Sequence, residues 1–275
     1  QACGTSALAA VGSTGNLTSL IVNFYVGLST GASVVIAQYY GAQNDKKIHQ
    51  AVHTSYTLAI VSGILMMLFG LFFSYQCLDA IGTPHDILND ATLYMQLYFL
   101  CMIPGAIYNI GAGILRAVGD SKRSLYYLIV CSIVNVVFDY IFVVIFHQGI
   151  AGAAIATVIA QFVCAILVTI QLMRTNEVYK LTLSKMKFHL PVLKKIIMIG
   201  APAGIQSTMY SISNIVLQSH INAFGTRTIA SWSVYVKIDA LFWMMIAAIG
   251  AAITTFSGQN YGAHLHDRIK KGTRT

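Results

Sequence analysis

Charge is what this sequence has least of. Only 9% of its 275 residues are Asp, Glu, Lys or Arg, where an ordinary soluble domain carries roughly a quarter. With a mean hydropathy of +0.69, most side chains cannot be facing water. Ten-residue segments of alternating hydrophobicity are missing, which excludes the pattern of a membrane β-barrel. No Walker loop, GxSxG or HExxH occurs, so neither ATP hydrolysis nor common hydrolase chemistry is indicated, and an enzyme is not expected. Cysteine pairing motifs are absent too. Cys3, Cys77, Cys101, Cys131 and Cys164 lie far apart with no CxxC spacing, and read as small apolar side chains without assigned chemistry.

What the chain does have is long apolar runs. Stretches of about 20 residues or more, each long enough to cross roughly 30 Å of hydrocarbon, fall near 9–40, 48–75, 87–115, 124–146, 150–173, 195–222 and 228–261. The fold expected is all-α, a polytopic membrane bundle of about seven spans. Several runs exceed the bilayer, so tilt or kinks must absorb the excess. Pro104–Gly105 and Pro202, between Gly200 and Gly204, are the kink sites to expect.

Basic residues alternate between loops. Lys46 and Lys47 follow the first span, and Arg116, Lys122 and Arg123 the third. Arg174, Lys180, Lys185, Lys187, Lys194 and Lys195 follow the fifth, and Arg268, Lys270, Lys271 and Arg274 the last. Even-numbered loops hold only Arg227. By the positive-inside rule the odd loops are cytoplasmic, with the first residues of the chain outside and the last inside. The formal charge of +8 is thus a topology signal, and no nucleic-acid partner follows from it.

The chain also repeats itself. Residues 4–48 align without gaps on 225–269 with nine identities. Gly4-Thr5 matches Gly225-Thr226, and Gln38-Tyr39-Tyr40-Gly41-Ala42 matches Gln259-Asn260-Tyr261-Gly262-Ala263. The matching spans are the first and the seventh. An even separation preserves direction, so the copies are expected to be parallel repeats about an axis along the membrane normal. Spans two to five have no second copy, and the chain opens on Gln rather than Met. The expectation is an internal piece of a protein with two six-helix repeats and twelve spans. Its parts would be an N-terminal lobe over 1–175, a cytoplasmic linker over 176–194 and the start of a C-terminal lobe over 195–275.

Three ionisable residues lie within spans, where they are costly and usually functional: Asp139, Lys237 and Asp239. Asn135 precedes Asp139 by one turn and shares its face. Counting from the short turn at Gln148 and at about 1.5 Å per residue, Asp139 levels with Thr157 and Asn135 with Gln161. A carboxylate, two amides and a hydroxyl suit a hard cation such as Na⁺, or a site that exchanges it for a proton. An interhelical hydrogen-bond clamp is the structural alternative for Thr157 and Gln161. Lys237 and Asp239 point in different directions and would line a water-filled cavity or bond to neighbouring helices. His49 and His53 have i, i+4 metal-ligand spacing without a carboxylate partner, and no other metal site is expected.

In order along the chain, several stretches together resemble the multidrug and toxin extrusion (MATE) family of cation-coupled exporters. They are Gly31-Ala32-Ser33 with Gln38-x-Tyr40-Gly41-Ala42, Leu115-Arg116-Ala117-Val118-Gly119-Asp120-Ser121, Asn135-x-x-x-Asp139 and Gly149-Ile150-Ala151-Gly152-Ala153-Ala154. Gly200-Ala201-Pro202-Ala203-Gly204 and Gly258-Gln259-Asn260 complete the set. The resemblance implies two six-helix lobes, with this chain covering helices two to eight. It implies export of organic, often cationic compounds in exchange for Na⁺ or H⁺ by alternating access, from a plasma-membrane protein. It carries a cation site onto Asn135, Asp139 and Thr157. The Asp that relatives add from their first helix has no counterpart in this chain. A Glu found in the seventh helix of some relatives corresponds to Tyr210 here, a possible cavity residue, which puts a second cation site in doubt. No cofactor beyond the coupling ion is expected, and the partners are a small organic substrate and the bilayer, around a monomer. Two rival readings are a lipid-linked precursor flippase, which needs a more basic cavity than Lys237 alone supplies, and a seven-span receptor.

Overall fold

The computed structural model describes the backbone of residues 4–80, 85–222 and 226–274, with side chains from Val22 onward except at 81–87, 90, 150, 215, 218–219, 222–230 and 233–234. Everything regular in it is helix. In chain order these are α1 (Gly4–Gly41), α2 (Asp45–Ala80), α3 (His85–Phe99), α4 (Met102–Ala117), α5 (Ser121–Asp139), α6 (Gly149–Arg174), α7 (Leu190–Asn222), α8 (Thr226–Gly262) and α9 (His266–Gly272). A π-helical segment, Tyr140–Ile145, extends α5 toward α6. Among the described residues four helices are long and apolar enough to cross a membrane, and five if α3 and α4 form one bent span. With α1 and α7, at 38 and 33 residues, the rods follow the seven runs read from hydropathy.

The bend between α3 and α4 measures 45° and falls at Leu100–Cys101. Its cause is Pro104. The ring has no N–H to offer and crowds the carbonyl four residues back, that of Leu100. Gly105 N bonds Cys101 O at 2.7 Å and restarts the ladder. Pro202, the other expected kink, lies inside α7, which continues through it as one helix from Leu190 to Asn222. The helix starts at Leu190, five residues before the expected start of the C-terminal lobe at 195.

Close helix crossings hold the bundle together. α1 and α7 run antiparallel and meet glycine to glycine: Gly27 against Gly204 and Gly31 against Gly200. Each helix carries its pair four residues apart, the small-xxx-small pattern that lets two backbones touch. A Cβ at Gly31 would stand 2.6 Å from Gly200 N, closer than any real packing contact.

A second crossing, between α1 and α8, explains the repeat. A Cβ at Gly41 would overlap the carbonyl of Gln259, and one at Gly262 would overlap the carbonyl of Gln38. The two contacts are the same contact read from either copy. The turns that follow are copies as well: Ala42 N bonds Gln38 O at 3.0 Å and Ala263 N bonds Gln259 O at 3.0 Å. Gln43 and His264 both take positive φ, 50° and 60°. The next helices begin at Asp45 and His266. Equivalent backbone at equivalent positions, meeting reciprocally, is what a two-fold axis between parallel copies produces.

The segment between α6 and α7 is pinned rather than loose. Tyr179 and Leu181 are buried, and Leu181 N bonds Leu172 O at 2.8 Å. His53, fully buried on α2, binds His49 O through Nδ1 at 2.7 Å and accepts from Thr182 N through Nε2 at 3.0 Å. From the next residue of α2, Thr54 Oγ1 accepts from His189 N at 3.1 Å. Losing a buried partner of this kind costs about 1–3 kcal/mol, so His53→Ala is expected to release residues 175–189. Faster limited proteolysis of that segment than in wild type would show it.

His189 makes the same contact sensitive to pH. Burial, with Lys187 and His53 nearby, holds its imidazole below the ordinary value of 6.5. The docked segment thus favours neutral His189, while the undocked one takes up its proton near the ordinary value. Docking is complete above about pH 6.5 and is expected to weaken as pH falls through it, read as rising hydrogen exchange across residues 180–189.

Candidate functional site

The site is built on the antiparallel pair α5 and α6. Asp120 caps α5, accepting from Arg123 N at 3.2 Å, after a turn in which Gly119 takes φ +93°. α6 can approach α5 closely because it presents Gly152, Ala156 and Ala160, all buried, at four-residue intervals.

Asn135 Nδ2 lies 3.5 Å from Thr157 Oγ1, toward which it donates, and Thr157 in turn donates to Ala153 O at 3.0 Å. Depth counting levels Asn135 with Gln161 and Asp139 with Thr157; the structure instead joins Asn135 to Thr157, one turn nearer the connection. The reason lies between Asp139 and the turn. Residues 140–145 are π-helical, with Phe146 N bonding Ile141 O at 2.9 Å. A π turn packs more residues into each unit of length than an α turn, so α5 is shorter there than the count supposes.

Asp139 and Gln161 flank that contact. Asp139 Oδ1 and Gln161 Oε1 are buried and accept no hydrogen bond. The bent span packs against α6 beside them: Gln161 Oε1 is the nearest neighbour, at 3.9 Å, of a Cβ built at Gly105, and Tyr94 lies on the α3 arm of the same span. Tyr94 and Gly105 were not legible as site residues. Only the fold of α3 and α4 brings them here. Burying acceptor oxygens without donors is costly, and an oxygen-rich set of carboxylate, amide and hydroxyl is what a hard cation or a proton would satisfy.

The other singled-out residues lie elsewhere. Tyr210 on α7 is half exposed, its ring 5.3 Å from that of Trp243 on α8. Lys237 is exposed and Asp239 partly exposed on α8. α7 and α8 pack on α1, so these three are not brought to Asp139. Their repeat mates Asn16 and Thr18 fall outside the described side chains. His49 and His53 stack at 3.9 Å, and both nitrogens of His53 are occupied, Nδ1 by His49 O on its own helix and Nε2 by Thr182 of the linker. Among the described residues no cluster of three or more His, Cys, Asp or Glu could hold a metal. Sequence reasoning also missed Gln259, whose Nε2 donates to Ala117 O at 2.8 Å and caps the end of α4.

Helices of membrane length, a parallel repeat and an oxygen-lined site between two spans define a multi-pass membrane protein. The MatE family model matches residues 1–141 and 202–275, and the chain belongs to that family. It is 28% identical to the probable multidrug resistance protein YoeA of Bacillus subtilis, over 98% of this chain and 60% of that one. It is 20% identical to the multidrug export protein MepA of Staphylococcus saprophyticus, over 84% of this chain and 51% of that one. Among solved structures, a MATE crystal structure in the bent conformation superposes with a TM-score of 0.90 at 26% identity, covering 98% of this chain and 60% of the other. An outward-facing multidrug resistance MATE family transporter of the MOP superfamily gives 0.92 at 25%, with the same coverage. The chain therefore spans 51–60% of the length of these relatives. Membership in a family of transporters sets the seven-span receptor aside.

Proposed function

We propose that the whole protein is a secondary transporter, not an enzyme, that exports organic, often cationic compounds in exchange for Na⁺ or H⁺. The observation that carries this reading is the pair of buried oxygens without donors, Asp139 Oδ1 and Gln161 Oε1, on either side of the Asn135–Thr157 contact. A coupling ion or proton satisfies them when bound, and its binding favours one packing of α5, α6 and the bent span over another. Coupling needs only that the ion and the exported compound prefer different conformations.

The shape of the bundle supports alternating access. α1 and α8 are closed against each other at the basic end, at Gly41 and Gly262, while Leu241, Trp243 and Ile249 on α8 are exposed. The basic end is taken as cytoplasmic by the distribution of Lys and Arg, and the membrane as the plasma membrane by the family resemblance. Residues 1–175 and 195–275 belong to two lobes of a monomer, joined through the pinned linker.

The test is efflux of a fluorescent cationic dye from cells carrying the full-length gene, with a Na⁺ jump and a pH jump imposed separately. Efflux that rises with either inward gradient is the expected result. A dye flux that ignores both would overturn ion coupling, and no flux would favour the lipid-linked precursor as cargo. Within this site, Thr157→Val is expected to weaken the response to the ion several-fold while Thr157→Ser retains it, read as the half-saturating ion concentration.

A further inference from the structure

One turn below Asn135 on α5, and three residues past Gln161 on α6, two cysteines face each other. Cys164 is fully buried and Cys131 nearly so. Cys131 Sγ donates to Ala160 O at 3.2 Å, and Cys164 Sγ donates to Tyr127 O at 3.4 Å. Each accepting carbonyl belongs to the residue four before the opposite cysteine. That reciprocity sets each thiol against the other helix's backbone, at neighbouring levels of the antiparallel pair. The small side chains of Ala156 and Ala160, both buried, allow this approach. Thiol-to-backbone contacts in both directions bring the two helices close at this level, and an interhelical disulfide needs such an approach, with Cα atoms about 4.4–6.8 Å apart.

We propose that Cys131 and Cys164 form a redox-modification site, a buried dithiol that closes to a disulfide and ties α5 to α6. Both S–H bonds break, the S–S bond forms, and two protons and two electrons leave. They pass to a lipid-soluble two-electron acceptor such as a quinone, which becomes the hydroquinone. The oxidant must be lipid-soluble because Cys164 lies ten residues inside the end of α6 at Arg174, about 15 Å at the α-helical rise. The neighbouring Val130 and Phe162 are exposed on the bundle's outer face, so the buried pair lies next to a surface that such a molecule meets, and a small parting of α5 and α6 admits it. The other described cysteines have no such mate: Cys77 lies on α2 and Cys101 at the α3–α4 break.

The bond fixes the spacing of α5 and α6 directly beneath the Asn135–Thr157 contact. If transport moves these helices against each other, oxidation stops it; this consequence rests on the transport reading above, whereas the bond itself does not.

The test treats the full-length protein, in membranes and again in detergent, with copper–phenanthroline in air. The protein is then denatured and its remaining thiols are labelled with a maleimide. The expected result is loss of two labels, a mass lower by about two hydrogens before labelling, and a cross-linked peptide pair containing Cys131 and Cys164. Cys131→Ser and Cys164→Ser, which keep a small donor at each site, each restore the label on the remaining cysteine. Full labelling of both cysteines after oxidation in detergent and in membranes would overturn the site. For the lock, dye efflux is expected to fall several-fold on oxidation and to return with dithiothreitol, in wild type but not in Cys131→Ser. A cross-link that forms with no loss of efflux would overturn the lock while leaving the modification.

Discussion

Asp139→Asn in the full-length protein is expected to weaken ion-driven dye efflux by a factor of about 5–150, the range that a coupling free energy of about 1–3 kcal/mol spans. Asn keeps the volume and one acceptor oxygen but cannot carry charge or take up a proton. The wild-type Asp139 Oδ1 is buried without a donor, so the substitution removes little existing bonding, and the fold should survive. This separates the two roles. A merely structural Asp139 would leave both efflux and its response to a Na⁺ or pH jump unchanged in the variant, and that outcome would return the residue to interhelical packing. Loss of the ion response at unchanged thermal stability supports coupling. Asn135 and Gln161 should show smaller losses, because each can contribute only a neutral dipole.

The second large effect concerns stability. Gly41→Val and Gly262→Val are each expected to lower the unfolding temperature substantially, and by similar amounts. Overpacking a filled interface costs typically 1–3 kcal/mol, and here the obstructing atoms are the backbone carbonyls of Gln259 and Gln38, which cannot rotate away. Because one separation of α1 from α8 relieves both clashes, the double variant should cost less than the two singles combined. Gly250→Ala is the control: nothing stands within 4 Å of a Cβ there, and its effect should be small or slightly favourable through helix propensity. Thermal unfolding in detergent reads all four. Unequal costs for Gly41 and Gly262 would contradict a two-fold related crossing.

The residues that could be read directly are those whose reasons are local or periodic. Seven runs became seven rods because hydrocarbon leaves the backbone no alternative to its own hydrogen bonds. Pro104 bends its span for a reason written four residues upstream. The repeat was visible as Gln-x-Tyr-Gly-Ala, though its purpose was not: a glycine is needed at Gly41 only because a carbonyl from residue 259 arrives there. Pro202 shows the opposite error, since the motif around it is a seam against Gly27 and Gly31 rather than a break in α7.

The amino-acid sequence by itself determined the class, the number and order of the spans, the parallel duplication and the four polar residues on α5 and α6, because each follows from composition, length or spacing along one chain. The tertiary structure alone decided which of those four meet. A π-helical segment between Asp139 and the turn shortens α5 and pairs Asn135 with Thr157, a shift that counting at a constant rise cannot anticipate. It also decided that the bent span carrying Tyr94 and Gly105 packs beside the site, that His53 and Thr54 hold the segment before α7, and that Cys131 faces Cys164. Those contacts join residues 22 to 135 positions apart, and no local rule fixes which distant neighbour a side chain will find.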